Sequence, residues 1–142
     1  MATLYWEDIS ANDEVPAFER KTDFMHWNRY AAVNDEFVYV HMDDEAGEAA
    51  GQGAAFGMGN LRWAYVLNML RDWIGEEGDI RELQMQFRAI NHKNDVLTTT
   101  GRVIEKVTED SRHLVRLEIG VVNQDGVETS PGTAVVELPS RG

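Results

Sequence analysis

YAAVNDEFVYVHMDDEAGEAAGQGAAFGMGNLRWAYVLNMLRDWI, residues 30–74, is the stretch from which the fold is read. Two carboxylates, Asp35 and Glu36, are followed by a histidine, His41. A Gly/Ala-rich loop comes next, and then a long apolar segment opens at Gly57-Met58-Gly59-Asn60. Met58, Leu61, Tyr65, Leu67, Met69, Leu70, Trp73 and Ile74 occupy almost every face of a helix over 57–74, with Arg62, Arg71 and Asp72 as interruptions. A helix apolar nearly all round is a buried one, and this one would span about 27 Å. Gly75 is placed to cap it, and Arg71 lies at its C-terminal end, where the helix dipole favours a cation. An acid–base pair beside the start of a buried helix is the arrangement that adding water to an activated double bond requires.

Working outward, Thr22 or Asp23 can cap a helix from Phe24, whose apolar positions keep helical spacing as far as Asn34. Alternation in AFERKTD, after Pro16, suggests a strand before it. Phe37 to Val40 reads as a strand-like link that sets His41 a few residues past the acids. Met42 to Ala50 carries Asp43, Asp44 and Glu45 early, as a helix N-terminus prefers, and Gly51 and Gly53 break it. Beyond Gly78 the period changes to two. Strands are predicted over 80–89, over 96–109 with a bulge at Gly101, over 113–122 and over 132–138, with a hairpin turn at Asn123-Gln124-Asp125-Gly126. A helical first half followed by an antiparallel meander predicts an α+β layout, one curved sheet around one buried helix, with residues 1–142 as one domain.

Composition narrows the function. The apolar fraction of 43% supports a real core. Absence of cysteine excludes disulfides, thiolate metal sites and cysteine nucleophiles. Neither a signal peptide nor an apolar run of about 18 residues is seen, so a cytoplasmic protein without membrane spans is expected. A formal charge of −12 repels nucleic-acid phosphate and anionic lipid, and both are rejected as principal partners. A phosphate-bearing substrate such as coenzyme A would need a local basic patch, for which Arg62, Arg71, Arg81, Arg88, His92, Lys93 and Arg102 are the available cations.

The layout and these residues together resemble the MaoC-like dehydratases, the R-specific enoyl-CoA hydratase branch of the hot-dog fold. The resemblance covers nearly the whole chain. It rests on Tyr30-Ala31, on Asp35-Glu36 followed by His41, on Asp43-Asp44-Glu45, on Phe56-Gly57-Met58 where the family carries His-Gly-Met, and on the closing strand Gly132 to Pro139. In the family the catalytic aspartate precedes the histidine by five positions. That count falls on Glu36, and an insertion of one residue would leave the role with Asp35. The family asparagine falls on Val38 and its proline on Tyr39. The resemblance implies a lyase that hydrates enoyl thioesters or dehydrates 3-hydroxyacyl thioesters, carried by CoA or acyl carrier protein, with neither cofactor nor metal. His41 with Glu36 or Asp35 would hold the water, and the Gly57 amide would serve as oxyanion donor.

Imidazole, with a reference pKa of about 6.5, can hold either protonation state near neutrality, and a carboxylate can share a water with it. Each residue also has a plainer reading. A lone histidine after a short apolar run is most often structural, Asp35-Glu36 alone is a solvated turn, and the acids at 43–45 start a helix rather than bind a metal. Trp63, Tyr65 and Trp73 read as core or dimer packing, and His26, His92 and His113 carry no partner pattern. Three functions compete on this scaffold: a hydratase active by itself, a non-catalytic hot-dog subunit completing a partner's tunnel, and a thioesterase. Small residues at Ala49, Ala50, Ala54 and Ala55 would suit a bulky acyl group in the second case. Association into a homodimer or heterodimer is expected in every case, because one curved sheet on one helix leaves an edge strand and an apolar flank.

Overall fold

A buried stripe on one helix sets the geometry of everything else. In the computed structural model, which describes residues 2–142, helix α3 runs Gly59–Ile74. Leu61, Tyr65, Val66, Met69, Leu70 and Ile74 recur at three- and four-residue spacing along its buried face. Its other face is only half covered: Asn60, Asn68, Arg71 and Asp72 are exposed. The helix is therefore amphipathic rather than apolar all round. It also begins two residues later than its composition suggested, because Phe56 and Gly57 are drawn into a short bridge with Asn91 and His92. Gly75 ends it at φ 71°, its amide donating to the Arg71 carbonyl.

Two shorter helices precede it. Helix α1, Phe24–Asn34, is capped by Asp23, whose side chain accepts from the Met25 amide. It buries Trp27 and Ala31 completely. Helix α2, Asp44–Ala49, is capped by Asp43 accepting from the Ala46 amide, with Asp44 and Glu45 in its first turn. Gly51 and Gly53, both at positive φ, end that run. Between α1 and α2 the predicted strand-like link is absent. Phe37 to Tyr39 point outward and Tyr39–His41 forms a single 3-10 turn. With no neighbouring strand to pair with, apolar and aromatic residues here form no sheet.

The sheet has five antiparallel strands: β1 Glu19–Lys21, β2 Asp79–Met85, β3 Val96–Glu109, β4 Arg112–Val122 and β5 Glu128–Glu137. Their order is β1-β3-β4-β5-β2. Only β3, β4 and β5 form the predicted meander. Strand β2, first of the long strands in sequence, pairs with the last, β5, so that it stands at an edge. The bulge expected at Gly101 lies instead between Val103 and Glu105. Gly101 has a packing reason: a Cβ there would lie 2.9 Å from the Val15 side chain. The turn at 123–126 forms as read, with the Asn123 side chain accepting from the Asp125 and Val127 amides and Gly126 at φ 76°. Inward residues of β3, β4 and β5, among them Val103, Val115, Leu117, Ile119 and Val136, join the α3 stripe in one buried cluster. The α+β layout of one curved sheet around one long helix is thus present. Among the described residues no helix is long and apolar enough to cross a membrane.

Candidate active site

Residues 56–60, which open α3, are the anchor for both candidate catalytic side chains. On one side, the Phe56 amide donates to the Val40 carbonyl at 3.1 Å, and His41 Nδ1 lies 2.7 Å from the Phe56 carbonyl oxygen. The His41 and Phe56 rings meet edge to face, centroids 5.1 Å apart. A carbonyl only accepts, so Nδ1 carries the proton in this bond. In the neutral imidazole, Nε2 then presents a bare lone pair. On the other side, Asn60 Nδ2 donates to Glu36 Oε2 at 3.3 Å.

The two acids occupy different environments. Asp35 is the C-cap of α1, at φ 52° in the left-handed region, and is exposed. Non-glycine residues adopt this conformation rarely, and Asp is among those that tolerate it. Glu36 is half-buried, its amide donating to the Ala31 carbonyl and its carboxylate to hand for Asn60. Burial and the Glu36 charge together raise the Tyr30 phenol above its ordinary value, which places the acid within electrostatic reach of α1.

Gly57 corrects one expectation. Its amide is not free at a helix N-terminus: it donates to the Asn91 carbonyl at 2.8 Å. The glycine is required instead by close approach, since a Cβ would lie 2.3 Å from Asn91 Nδ2. The amides of Gly59 and Asn60 begin the helix proper, and among the described residues no protein acceptor takes them.

The cations considered for a phosphate-bearing substrate are mostly committed elsewhere. Arg81 pairs with Asp79 and Glu137, Lys93 with Asp44, and Arg102 with Glu118. Arg88 bonds the Gln86 side chain. Arg62, counted among the available cations, is 3% exposed, and its guanidinium donates to the Ala89 and Thr129 carbonyls. Burial pushes it down to about 10. Arg71 and His92 stay exposed.

Clefts of about 830, 630 and 420 Å3 open beside the C-terminal end of α3 and on the exposed face of the sheet, and none of these is lined by His41, Glu36, Asp35 or Gly57. Around the candidate site the surface is apolar and open: Val33 and Tyr39 are each 79% exposed, with Phe37 and Val38 beside them. Sequence reasoning singled out Phe56 and Asn60 at the helix start but missed their contacts to His41 and Glu36, and it missed Asn91 altogether. No motif marks these contacts, because they span 15 to 34 positions of chain. Deeper in the core, Tyr65 packs against Phe18 at 5.3 Å, and burial pushes its phenol up to about 12.

This fold is the hot-dog architecture that solved R-hydratases and MaoC-like dehydratases also adopt. Among solved structures, the R-hydratase PhaJ1 from Pseudomonas aeruginosa matches with a TM-score of 0.88 at 18% identity, over 98% of this chain and 88% of that one. A MaoC-like dehydratase from Rhodospirillum rubrum matches at 0.83 and 19% identity, over 98% and 99%. The ChsH1-ChsH2 complex from Mycobacterium tuberculosis matches at 0.80 and 19% identity, over 91% and 98%. No family model matches the sequence, and no curated relative does either. At such identities the likeness establishes the fold.

Proposed function

We propose that this chain is a hydratase/dehydratase, adding water to an enoyl thioester or removing it from a 3-hydroxyacyl thioester, with acyl-CoA or an acyl carrier protein as carrier. One observation carries the reading. His41 and Glu36 are each hydrogen-bonded to a residue of the same short segment, Phe56 and Asn60, at the start of α3.

In the proposed reaction a water lies between His41 Nε2 and the Glu36 carboxylate. Its oxygen bonds to Cβ while one O–H bond breaks and the proton passes to Nε2. The π electrons move toward the thioester oxygen, and the proton is then returned to Cα. Glu36 accepts the second O–H of the water and holds it in line. H and OH are added across the double bond with no change of oxidant or reductant. The negative charge on the thioester oxygen needs donors, and the Gly59 and Asn60 amides, at the positive end of α3, are proposed for that role in place of Gly57. Glu36 is preferred to Asp35 because it has a partner that orients it, whereas Asp35 serves as an exposed helix cap.

A second reading keeps the fold and removes the independent activity: a partner-dependent subunit of a hetero-oligomer. The open apolar surface at Val33, Phe37, Val38 and Tyr39 supports it, since an acyl chain needs a covered tunnel. So does the likeness to a two-component complex. A homodimer would supply the same cover. Purified chain offered crotonyl-CoA and longer enoyl-CoAs separates these cases. Hydration by the chain alone supports the first reading, and hydration only with a co-expressed hot-dog partner supports the second. Release of free CoA without hydration would point to a thioesterase and overturn both.

A further inference from the structure

We infer that Asn60 is a positioning residue for the reaction, holding the Glu36 carboxylate from the first turn of α3; this rests on the hydratase reading. The bond from Asn60 Nδ2 to Glu36 Oε2, 3.3 Å long, joins residues 24 positions apart. It is the only hydrogen bond recorded for the Glu36 side chain among the described residues. Glu36 follows directly on the left-handed cap of α1, and its long side chain would otherwise be free to rotate into solvent. An amide is the suitable partner. It donates to a carboxylate without carrying a charge, so it orients the acid without neutralising it, as a lysine or arginine would. Engaging Oε2 leaves Oε1 free to accept from the proposed water.

The rest of the molecule gives Asn60 no other task. It is exposed, it caps nothing, and its side chain bonds no other group among the described residues. Helix former it is not: Asn ranks among the weaker residues for a helix interior, and a surface position in α3 would be better filled by Ala, Glu or Lys for stability alone. Its neighbours fix the backbone beneath it. Phe87 lies against Gly59, where a Cβ would come within 2.6 Å of the ring, and Met58 is buried. The amide therefore stands on a rigid base while the acid it holds stands on a loop.

Three variants test the inference under whichever conditions the native chain hydrates crotonyl-CoA. Asn60→Ala removes the donor. Asn60→Asp keeps the shape and replaces the donor with a second carboxylate, at a helix start where an acid is tolerated by the dipole. Asn60→Gln restores an amide on a longer arm. The expected result is a fall in kcat of roughly 10- to 100-fold for Asn60→Ala with KM within about twofold, a larger fall for Asn60→Asp, and partial recovery in Asn60→Gln. All three should retain the native thermal midpoint to within a few degrees, because the site is exposed. A second measurement is independent of turnover. The Asn60 side-chain amide resonances of 15N-labelled protein, assigned by their loss in Asn60→Ala, should shift when Glu36→Gln is introduced. Turnover within about twofold of native in Asn60→Ala and Asn60→Asp, or amide resonances indifferent to Glu36→Gln, overturns the inference and leaves the hydratase reading standing. Absence of hydration by the native chain, alone and with a partner, overturns both together.

Discussion

His41 Nδ1 and the Phe56 carbonyl oxygen are 2.7 Å apart, across 15 residues of chain. The bond does more than hold a ring in place. It selects which nitrogen carries the proton, and so which one can accept a proton from water. The helix entry that receives the candidate acid through Asn60 thus also sets the tautomer of the candidate base.

The neutral form of His41 should therefore be the Nδ1–H tautomer. Long-range 1H–15N correlation spectra above the imidazole titration check this. A protonated Nδ1 and an unprotonated Nε2 are expected. The reverse pattern would mean that the Phe56 carbonyl does not hold the ring.

Gly57→Ala should destabilise the fold. The added Cβ would lie 2.3 Å from Asn91 Nδ2 and 2.8 Å from its Cγ, and Asn91 is 1% exposed. Overpacking of this kind typically costs about 1–3 kcal/mol. Chemical denaturation should show that loss, and Gly57→Ala combined with Asn91→Ala should cost less than the sum of the two single changes. Strict additivity would show that the clash is not the cause.

Asp44 ties α2 to the loop before β3 through Lys93 Nζ, 2.7 Å from both of its carboxylate oxygens. The Lys93 hydrogen bond holds the Asp44 carboxyl below its usual range, with the Ala55 amide helping. A folded-state value below the unfolded one means that the unfolded chain takes up the proton first as pH falls. The stabilisation is thus fully present above the ordinary aspartate value of about 3.9 and is lost as pH drops through the lower folded value. Lys93→Met should be less stable than native at neutral pH, and the gap should close in that acid range. A gap independent of pH would point to the lost contact of Lys93 Nζ with the face of the Phe24 ring, 4.6 Å from its centroid.

Leu70→Ala removes a fully buried side chain from the stripe that α3 turns toward the sheet. A loss of about 2–5 kcal/mol is expected in urea unfolding, with the upper part of that range if the cavity stays open. A loss below about 1 kcal/mol would mean that the helix is not packed as described.

How far the sequence carries can be judged from particular elements. Helix α1 and its Asp23 cap, α2 with its leading acids, the Gly75 stop and the 123–126 turn follow from local chemistry, and they fall where that chemistry puts them. Failures occur where distant partners decide. Phe37 to Val40 have strand-forming side chains and no strand to join. Strand β2 leaves the meander because β5 supplies its partner, and no feature of residues 79–85 announces that. Gly57 reads as a free helix-start amide until the Asn91 carbonyl, 34 positions on, accepts its hydrogen bond. Arg62 reads as an available cation until the Ala89 and Thr129 carbonyls take its guanidinium. The candidate site shows the same division. His41 and the two acids are legible as residue types at a suggestive spacing, but the choice between Asp35 and Glu36 depends on a contact with α3 that only the folded chain makes.

The central claim is that His41 is the proton acceptor for water at an enoyl thioester. The direct measurement is the loss of crotonyl-CoA absorbance by native protein and by His41→Ala, each at saturating substrate. A fall in kcat of about 10²- to 10⁴-fold with KM largely preserved is predicted. Turnover of His41→Ala near the native rate would contradict it, and the imidazole would then be a structural brace for the Phe56 carbonyl.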